Sequence, residues 1–307
     1  VLVAMSGGVD SSAVAALLIE QGYDVVGLTI TTHKFDDDCR VEDNKKSCCS
    51  YTGMSDARKV CDVLGIEHHF IDLTSLFQET VINNFIAEYL HGRTPNPCVI
   101  CNNLIKWGPF LTKANEYGAE LFATGHYAHL NTDTQTGRYY ISRGVDDRKD
   151  QSYALWGLTQ DQLSRTIFPL AEYTKEQVRE IAKRNNLPVF NKSESQDICF
   201  IPNGDYHSFL RKRVPEIDKM IGEGDVMLDG QKIATHKGFP FYTIGQRRGL
   251  GIAHEHPLYV KGIDAESNVI EVSEDSGLFA DGLIGEQVNM MKYESLPEFR
   301  EFVVKIR

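Results

Sequence analysis

VLVAMSGGVDSSAVAALLIEQG, Val1 to Gly22, is the stretch on which the reading of the whole chain turns. Val1–Met5 is a short apolar run of strand character, and Ser11–Gln21 carries apolar residues at helical spacing and stops at Gly22. Tyr23–Thr31 reads as the next strand, which completes a βαβ unit. Between the first strand and the helix lies SGGVDSS, Ser6 to Ser12. Two glycines let backbone approach a phosphate closely, and Ser6, Ser11 and Ser12 offer hydroxyls. The helix N-terminus adds open amides at the positive end of its dipole. An incidental Gly/Ser-rich turn would not account for the strand before it and the helix after it. The loop lacks the GK[ST] ending of a Walker loop, so it does not match the usual site for terminal-phosphate transfer.

Outward from this unit the alternation continues. Helix Ser55–Leu64 stops at Gly65 and is followed by strand Glu67–Leu73, helix Thr74–Leu90, helix Asn103–Tyr117 stopped by Gly118, and strand Glu120–Thr124. This predicts an α/β fold with a doubly wound parallel sheet that holds ligands at the carboxyl ends of its strands. Three segments interrupt the pattern. Residues 33–52 are polar, with Asp36–Asp38 reading as a solvated turn. GRTPNPCVICNN, Gly92 to Asn103, carries two prolines that hold extended backbone around Cys98 and Cys101. RGVDDRKDQSYAL, Arg143 to Leu155, follows a hairpin-like stretch. Beyond about Phe200 short strand-like runs alternate with Gly and Asp pairs. The expected division is a nucleotide-binding domain over 1–204, a small β-rich central domain over 205–272, and the start of a C-terminal β-barrel, cut short, over 273–307.

With 307 residues, 42% of them hydrophobic, the chain can bury a large core. No apolar run approaches the roughly 20 residues needed to cross a bilayer, so no membrane partner is expected. A net charge of −11 excludes a uniformly basic coat for nucleic acid, and any RNA contact must use local basic patches. Seven cysteines, an odd number that includes Cys48/Cys49 and the CxxC of Cys98 and Cys101, favour reduced thiols and a cytoplasmic setting.

The loop resembles the pyrophosphate-binding loop of the N-type ATP pyrophosphatases, which cleave ATP to AMP and pyrophosphate and attach AMP to a substrate oxygen. Adenylation gives nearby thiols a purpose. A pyrimidine carbonyl oxygen leaves poorly until it carries AMP, after which a thiolate or persulfide can displace it at the same carbon. Cys98, Cys101 and Cys199 are the candidates. Cys61 falls on the apolar face of a helix and reads as core, and Cys39, Cys48 and Cys49 read as adventitious or structural.

Six motifs occur in one order: SGGVDSS, TPNPCVICN, ATGHYA (Ala123 to Ala128), KDQSYAL (Lys149 to Leu155), SESQDICFIP (Ser193 to Pro202) and YTIGQRRGLGI (Tyr242 to Ile252). In these the chain resembles the tRNA-specific 2-thiouridylases of the MnmA type. The likeness implies ATP-dependent adenylation of the wobble uridine of tRNA at its 2-oxygen, then sulfur insertion. It implies that Ala4, Met5, Ser6, Gly7, Gly8, Val9, Asp10, Ser11, Ser12, Ile30 and Gly125 contact ATP, which brings Mg2+. His126, Lys149, Asp150 and Gln151 would meet the tRNA, and Asn96, Pro97 and Cys98 would line the pocket for an unstacked base. Cys199 would carry a persulfide received from a sulfur-donor protein, and Cys101 would close a disulfide with it as the sulfur leaves. Arg247 and Arg248, in a glycine-flanked loop that can mould to a backbone, are further RNA candidates.

The family pattern is broken once: Cys98 stands where relatives commonly have an aspartate, which puts the general-base role of that position in doubt. The change also assembles a possible three-thiolate set, Cys98, Cys101 and Cys199, suited to a four-iron four-sulfur cluster. Two other readings keep the loop. One passes nitrogen to the activated carbon, as GMP, argininosuccinate and lysidine synthetases do; the other is a nucleotide sensor that releases no pyrophosphate.

Overall fold

The computed structural model describes residues 1–32, 51–194, 198–274, 282–295 and 301–304. Asp36–Asp38, Cys39, Cys48 and Cys49 lie outside the described residues. In chain order the elements begin β1 (Leu2–Ala4), α1 (Val9–Glu20), β2 (Val26–Thr31), α2 (Tyr51–Leu64) and β3 (Glu67–Asp72). They continue with α3 (Thr74–Phe77), α4 (Asn83–Leu90), α5 (Pro97–Ile100), α6 (Pro109–Glu116), β4 (Phe122–Ala123), β5 (Ala128–Thr132) and β6 (Tyr139–Arg143). Next come α7 (Gln160–Ser164), β7 (Thr166–Ile167), α8 (Lys175–Arg184), α9 (Tyr206–Arg213) and α10 (Ile217–Ile221). The last are β8 (Gly224–Leu228), β9 (Gln231–His236), β10 (Tyr259–Asp264) and β11 (Val269–Ser273). Two π-helical stretches, Gln78–Ile82 and Cys101–Lys106, join α3 to α4 and follow α5.

The chain forms two compact units, one of residues 1–73, 101–195 and 286–307, the other of residues 74–100 and 196–285. The first holds a parallel five-stranded sheet in the order β3-β2-β1-β4-β7. Period-2 alternation in β1 divides the core between its two faces. Val3 and Met5 join Val14, Leu18, Val60 and Val178 in one apolar cluster, whereas Leu2 joins Trp107, Phe110, Phe122 and Leu155 in the other. Helix α1 is apolar almost all round, with every residue from Val9 to Leu18 buried except Asp10. The strand order reverses between β1 and β4, and at such a switch point the loops after the two strands diverge and leave a crevice for ligand.

The doubly wound parallel sheet expected from the alternation is therefore present, with differences of detail. One helix expected over Asn103–Tyr117 is instead the π-helical stretch Cys101–Lys106 and then α6, separated at Gly108 and Pro109, because proline starts a helix readily and cannot continue one. β7 and α8 were not foreseen. β7 has only two residues, and Thr174 marks the start of α8 with a capping box to Gln177.

In the second unit β8 to β11 form a four-stranded sheet in the order β10-β11-β8-β9, parallel only between β11 and β8. This is the β-rich region expected after about Phe200. Beside the sheet, Phe77, Phe85 and Phe209 surround Phe200 with ring centroids 5.3 to 5.7 Å away, and Tyr89 stacks on Tyr206 at 4.7 Å.

Candidate functional site

The phosphate loop is built by β1 ending early. Met5 donates its amide to the Leu28 carbonyl at 2.8 Å, and after it the chain leaves the sheet. Thr29 donates its hydroxyl to the Met5 carbonyl at 2.7 Å and lies 2.8 Å from His68 Nε2. A hydroxyl has one proton, so His68 is the donor in that second contact and carries its hydrogen on Nε2. Burial holds His68 down to about 4, which keeps the ring neutral.

Gly7 follows with φ of 68°, and a Cβ there would sit 2.0 Å from the Gly53 carbonyl oxygen in α2, so the turn admits only glycine. Gly8 caps α1 in extended conformation without any side-chain hydrogen bond to the first-turn amides. These amides point away from the helix toward the loop. The hydroxyls brace the loop internally: Ser12 donates to the Gly8 carbonyl at 2.7 Å, and Ser6 Oγ and Ser11 Oγ share a hydrogen bond of 3.1 Å. Gly125, after β4, closes the crevice from the other side of the switch point. A Cβ on it would lie 3.0 Å from both Asp10 Cβ and the Ser11 nitrogen. The structure thus gathers Ala4 to Ser12 and Gly125 in one place, with Ile30 at the carboxyl half of the neighbouring β2. Uncapped first-turn amides beside close-packed glycines have the geometry of an anion-binding loop.

Asp10 is the hub of the polar network beside the cradle. Its Oδ1 accepts from Tyr127 Oη at 2.7 Å and from Lys175 Nζ at 2.7 Å. Burial, then the adjacent Asp10 carboxylate, push the Tyr127 phenol far above its usual range, so it remains a donor. The Lys175 side chain is only 8% exposed and also meets Glu194 Oε1 at 3.2 Å. Glu194 Oε2 in turn takes Lys149 at 2.5 Å. Burial works to raise the Glu194 carboxyl, and the two ammonium groups outweigh it and hold it below its ordinary value.

The residues expected to meet RNA are distributed unevenly. In the first unit His126 is buried, 2.7 Å from Thr124 Oγ1 and against Trp107 and Phe168, and desolvation together with Lys106 keeps it neutral. Gln151 takes the Tyr127 amide on its side chain and gives its own amide to the Tyr127 carbonyl. Asp150 caps the turn that follows by accepting from the Ser152 amide. Cys101, half-buried, opens the π-helical stretch whose next residue, Asn102, donates to the Ala154 carbonyl at 2.9 Å.

In the second unit Asn96 accepts from the Cys98 amide at 3.2 Å, Pro97 starts α5, and Cys98 is exposed. Cys199 is half-buried, one residue before the Phe200 ring that fixes its segment. Arg247 is exposed in a loop braced by Gln246, whose side chain accepts from the Thr243 amide and donates to the Arg248 carbonyl. Cys61 is fully buried, and burial pushes its thiol to about 12, as its core reading requires.

Lys175, Lys192 and Thr29 lie outside the sequence motifs, and Tyr127 and Glu194 lie inside ATGHYA and SESQDICFIP without a role that the sequence assigns them. Beyond the motifs only the capping box before Lys175 carried a local signal; the fold assembles these residues from separated segments. Among the described residues no three His, Cys, Asp or Glu side chains are grouped to hold a metal ion, and no helix is long and apolar enough to cross a membrane.

Residues 1–203 match the tRNA methyl transferase HUP domain family and residues 207–274 the tRNA methyl transferase PRC-barrel domain family. A tRNA-specific 2-thiouridylase MnmA of Natranaerobius thermophilus is 48% identical over all of this chain and 83% of its own length. The chain belongs to the tRNA-specific 2-thiouridylase family. The MnmA protein of Pelotomaculum thermopropionicum is 47% identical, again over the whole of this chain and 83% of the relative. Among solved structures, a 4-thiouridine synthetase in complex with RNA and ATP covers 70% of this chain and 50% of that one, with a TM-score of 0.40 at 18% identity, a distant likeness only. The relatives' shared name makes the family one of tRNA 2-thiouridylases, that is, tRNA sulfurtransferases.

Proposed function

We propose that the protein is a tRNA uridine 2-sulfurtransferase that activates the wobble uridine with ATP and inserts sulfur from a cysteine persulfide. The observation that carries this reading is likeness to tRNA-specific 2-thiouridylases over the whole chain, in a molecule whose first unit keeps an open phosphate cradle. In the first step the uridine 2-oxygen attacks the α-phosphorus of ATP, and pyrophosphate leaves. Magnesium arrives with the nucleotide, and Asp10 is the carboxylate at the cradle that would meet it. The amides of the α1 N-terminus and the loop hydroxyls accept the negative charge.

In the second step the outer sulfur of a Cys199 persulfide, charged by a sulfur-donor protein, attacks carbon 2 and AMP departs with the oxygen. The Cys101 thiolate then attacks the Cys199 sulfur, which releases 2-thiouridine and leaves a Cys101–Cys199 disulfide for an external thiol to reduce. A cytoplasmic setting supplies that thiol. Asn96, Pro97 and Cys98 would line the base pocket, with Lys149, Asp150, Gln151 and Arg247 toward the rest of the tRNA. Among the described residues Cys98, Cys101 and Cys199 are not grouped as ligands for an iron–sulfur cluster.

The test is incubation with tRNA, ATP, Mg2+ and a persulfide donor, followed by nucleoside mass spectrometry and pyrophosphate measurement. Replacement of oxygen by sulfur with stoichiometric pyrophosphate is expected. Addition of a methyl group, addition of nitrogen, or no pyrophosphate release would overturn the reading.

A further inference from the structure

Four charged groups in the first unit form an unbroken line: Lys149 Nζ on Glu194 Oε2 at 2.5 Å, Glu194 Oε1 on Lys175 Nζ at 3.2 Å, and Lys175 Nζ on Asp10 Oδ1 at 2.7 Å. One end is the segment proposed to face RNA, and the other is the first turn of the helix that heads the phosphate cradle. A second connection runs in parallel. Gln151 is hydrogen-bonded to both the amide and the carbonyl of Tyr127, and the Tyr127 hydroxyl donates to the same Asp10 oxygen.

Lys175 is the shared member. The ammonium of this side chain, 8% exposed as a whole, divides its charge between two carboxylates, and one of these, Glu194, is itself divided between two ammonium groups. In a partly desolvated network, charge withdrawn at one end is redistributed along the line, because each partner's attraction is weakly screened.

We infer that Lys175 and Glu194 are positioning residues that couple occupation of Lys149 by an RNA phosphate to release of Asp10 for the nucleotide. This rests on the proposed function above. With Lys149 on Glu194, Lys175 is held only in part by Glu194 and is left to clamp Asp10. A phosphate that takes Lys149 leaves Glu194 with Lys175 alone. Lys175 then moves its charge toward Glu194, and Asp10, left with the Tyr127 hydroxyl as its donor there, has its negative charge freed for the cradle. RNA and nucleotide consequently bind with positive cooperativity, and activation without RNA is restrained. Coupling of this kind is reciprocal and of the order of 5- to 150-fold in affinity.

The experiment is calorimetry of an α,β-methylene ATP analogue on the full chain, with and without saturating tRNA transcript, for the wild type, Glu194→Gln and Lys149→Met. The transcript should tighten analogue binding by the wild type about fivefold or more. Glu194→Gln should bring that ratio to about one while still binding the analogue alone. Lys149→Met imitates an occupied Lys149, so without RNA it should bind the analogue about as tightly as the wild type does with RNA. A merely structural role would weaken binding in that variant instead.

Retention of the wild-type ratio in Glu194→Gln, or no gain in Lys149→Met, overturns the coupling. Melting curves report whether Glu194→Gln folds, and if it does not, the Lys149→Met result decides alone. A wild type that binds both ligands with a ratio of one ends the coupling and leaves the proposed function standing. Failure to bind transcript at all ends both.

Discussion

Lys192 donates to the Gly7 carbonyl at 2.9 Å, tying a residue far along the chain to the middle of the phosphate loop. The same ammonium pairs with Asp56 of α2 at 2.8 Å, so one side chain braces the loop against the helix that also presses on Gly7 through Gly53. Lys192→Met should therefore lower stability by about 1 kcal/mol, since Asp56 keeps Lys59 at 3.5 Å and the Gly7 carbonyl loses a charged donor. It should also raise KM for ATP more than it lowers kcat, because the loop binds ground state and transition state alike. Urea denaturation and pyrophosphate release at varied ATP check the two effects. An unchanged KM would mean the brace does not shape the cradle.

Gly125→Ala places a methyl group 3.0 Å from the Asp10 Cβ and the Ser11 amide nitrogen and 3.1 Å from the Asp10 carbonyl carbon, so two of its three nearest neighbours are α1 backbone and cannot give cheaply. The expected result is a loss of nucleotide affinity of about tenfold or more, near 1.4 kcal/mol, with a smaller change in melting temperature. Calorimetry with the ATP analogue reads it directly. Wild-type affinity in this variant would show that the space at Gly125 is not used.

Burial of neutral histidines gives the fold a sensitivity to acid. His68 is held at about 4 by burial, with Arg58 adding to the effect, and His126 lies well below its ordinary 6.5 for the same first reason. The unfolded chain binds these protons near pH 6.5, whereas the folded chain takes the His68 proton only near pH 4. Stability is accordingly full above about pH 6.5 and falls as pH drops toward 4. His68→Gln, which can still donate to Thr29, should flatten part of that decline. Parallel urea midpoints at pH 7 and 5 make the measurement, and an identical decline in the variant would rule His68 out as a contributor.

The fold was legible where chemistry is local. Gly7 and Gly8 between a strand and a helix announce a phosphate loop because the turn needs positive φ and open amides, both properties of adjacent residues. The alternation of strands and helices announces the parallel sheet for the same reason. The charge network was not legible, since Asp10, Tyr127, Lys149, Lys175 and Glu194 meet only after β1 and β4 are paired and α8 is set beside α1. The surroundings of His126 were equally beyond the sequence, since its packing against Trp107 and Phe168 is made by the fold.

Arg247, like its neighbour Arg248, is an exposed cation in a braced, glycine-flanked loop of the second unit, so its contribution to RNA binding should be electrostatic. Arg247→Ala should weaken tRNA binding and reduce the slope of log affinity against log salt by about one unit. ATP-analogue affinity without RNA should not move. Filter binding at several salt concentrations is sufficient, and an unaltered slope would place the phosphate contacts elsewhere.

The cysteines divide the proposed reaction into separable halves. Adenylation needs the cradle and no thiol, so Cys101→Ser and Cys199→Ser should each release pyrophosphate in the presence of tRNA while losing thiolation by about 100-fold or more, near 2.7 kcal/mol of barrier. Near-normal thiolation by either variant would remove that cysteine from sulfur transfer. Cys98 poses a different question, because its amide is tied to Asn96 and its side chain is exposed at the first turn of α5. If the position serves only to accept a proton near the base, Cys98→Asp should keep full thiolation in protein free of iron, and Cys98→Ala should be slower with tRNA affinity unchanged. Loss of activity in Cys98→Asp, together with iron and labile sulfide in anaerobically purified wild type, would instead make Cys98 a cluster ligand and replace the persulfide route.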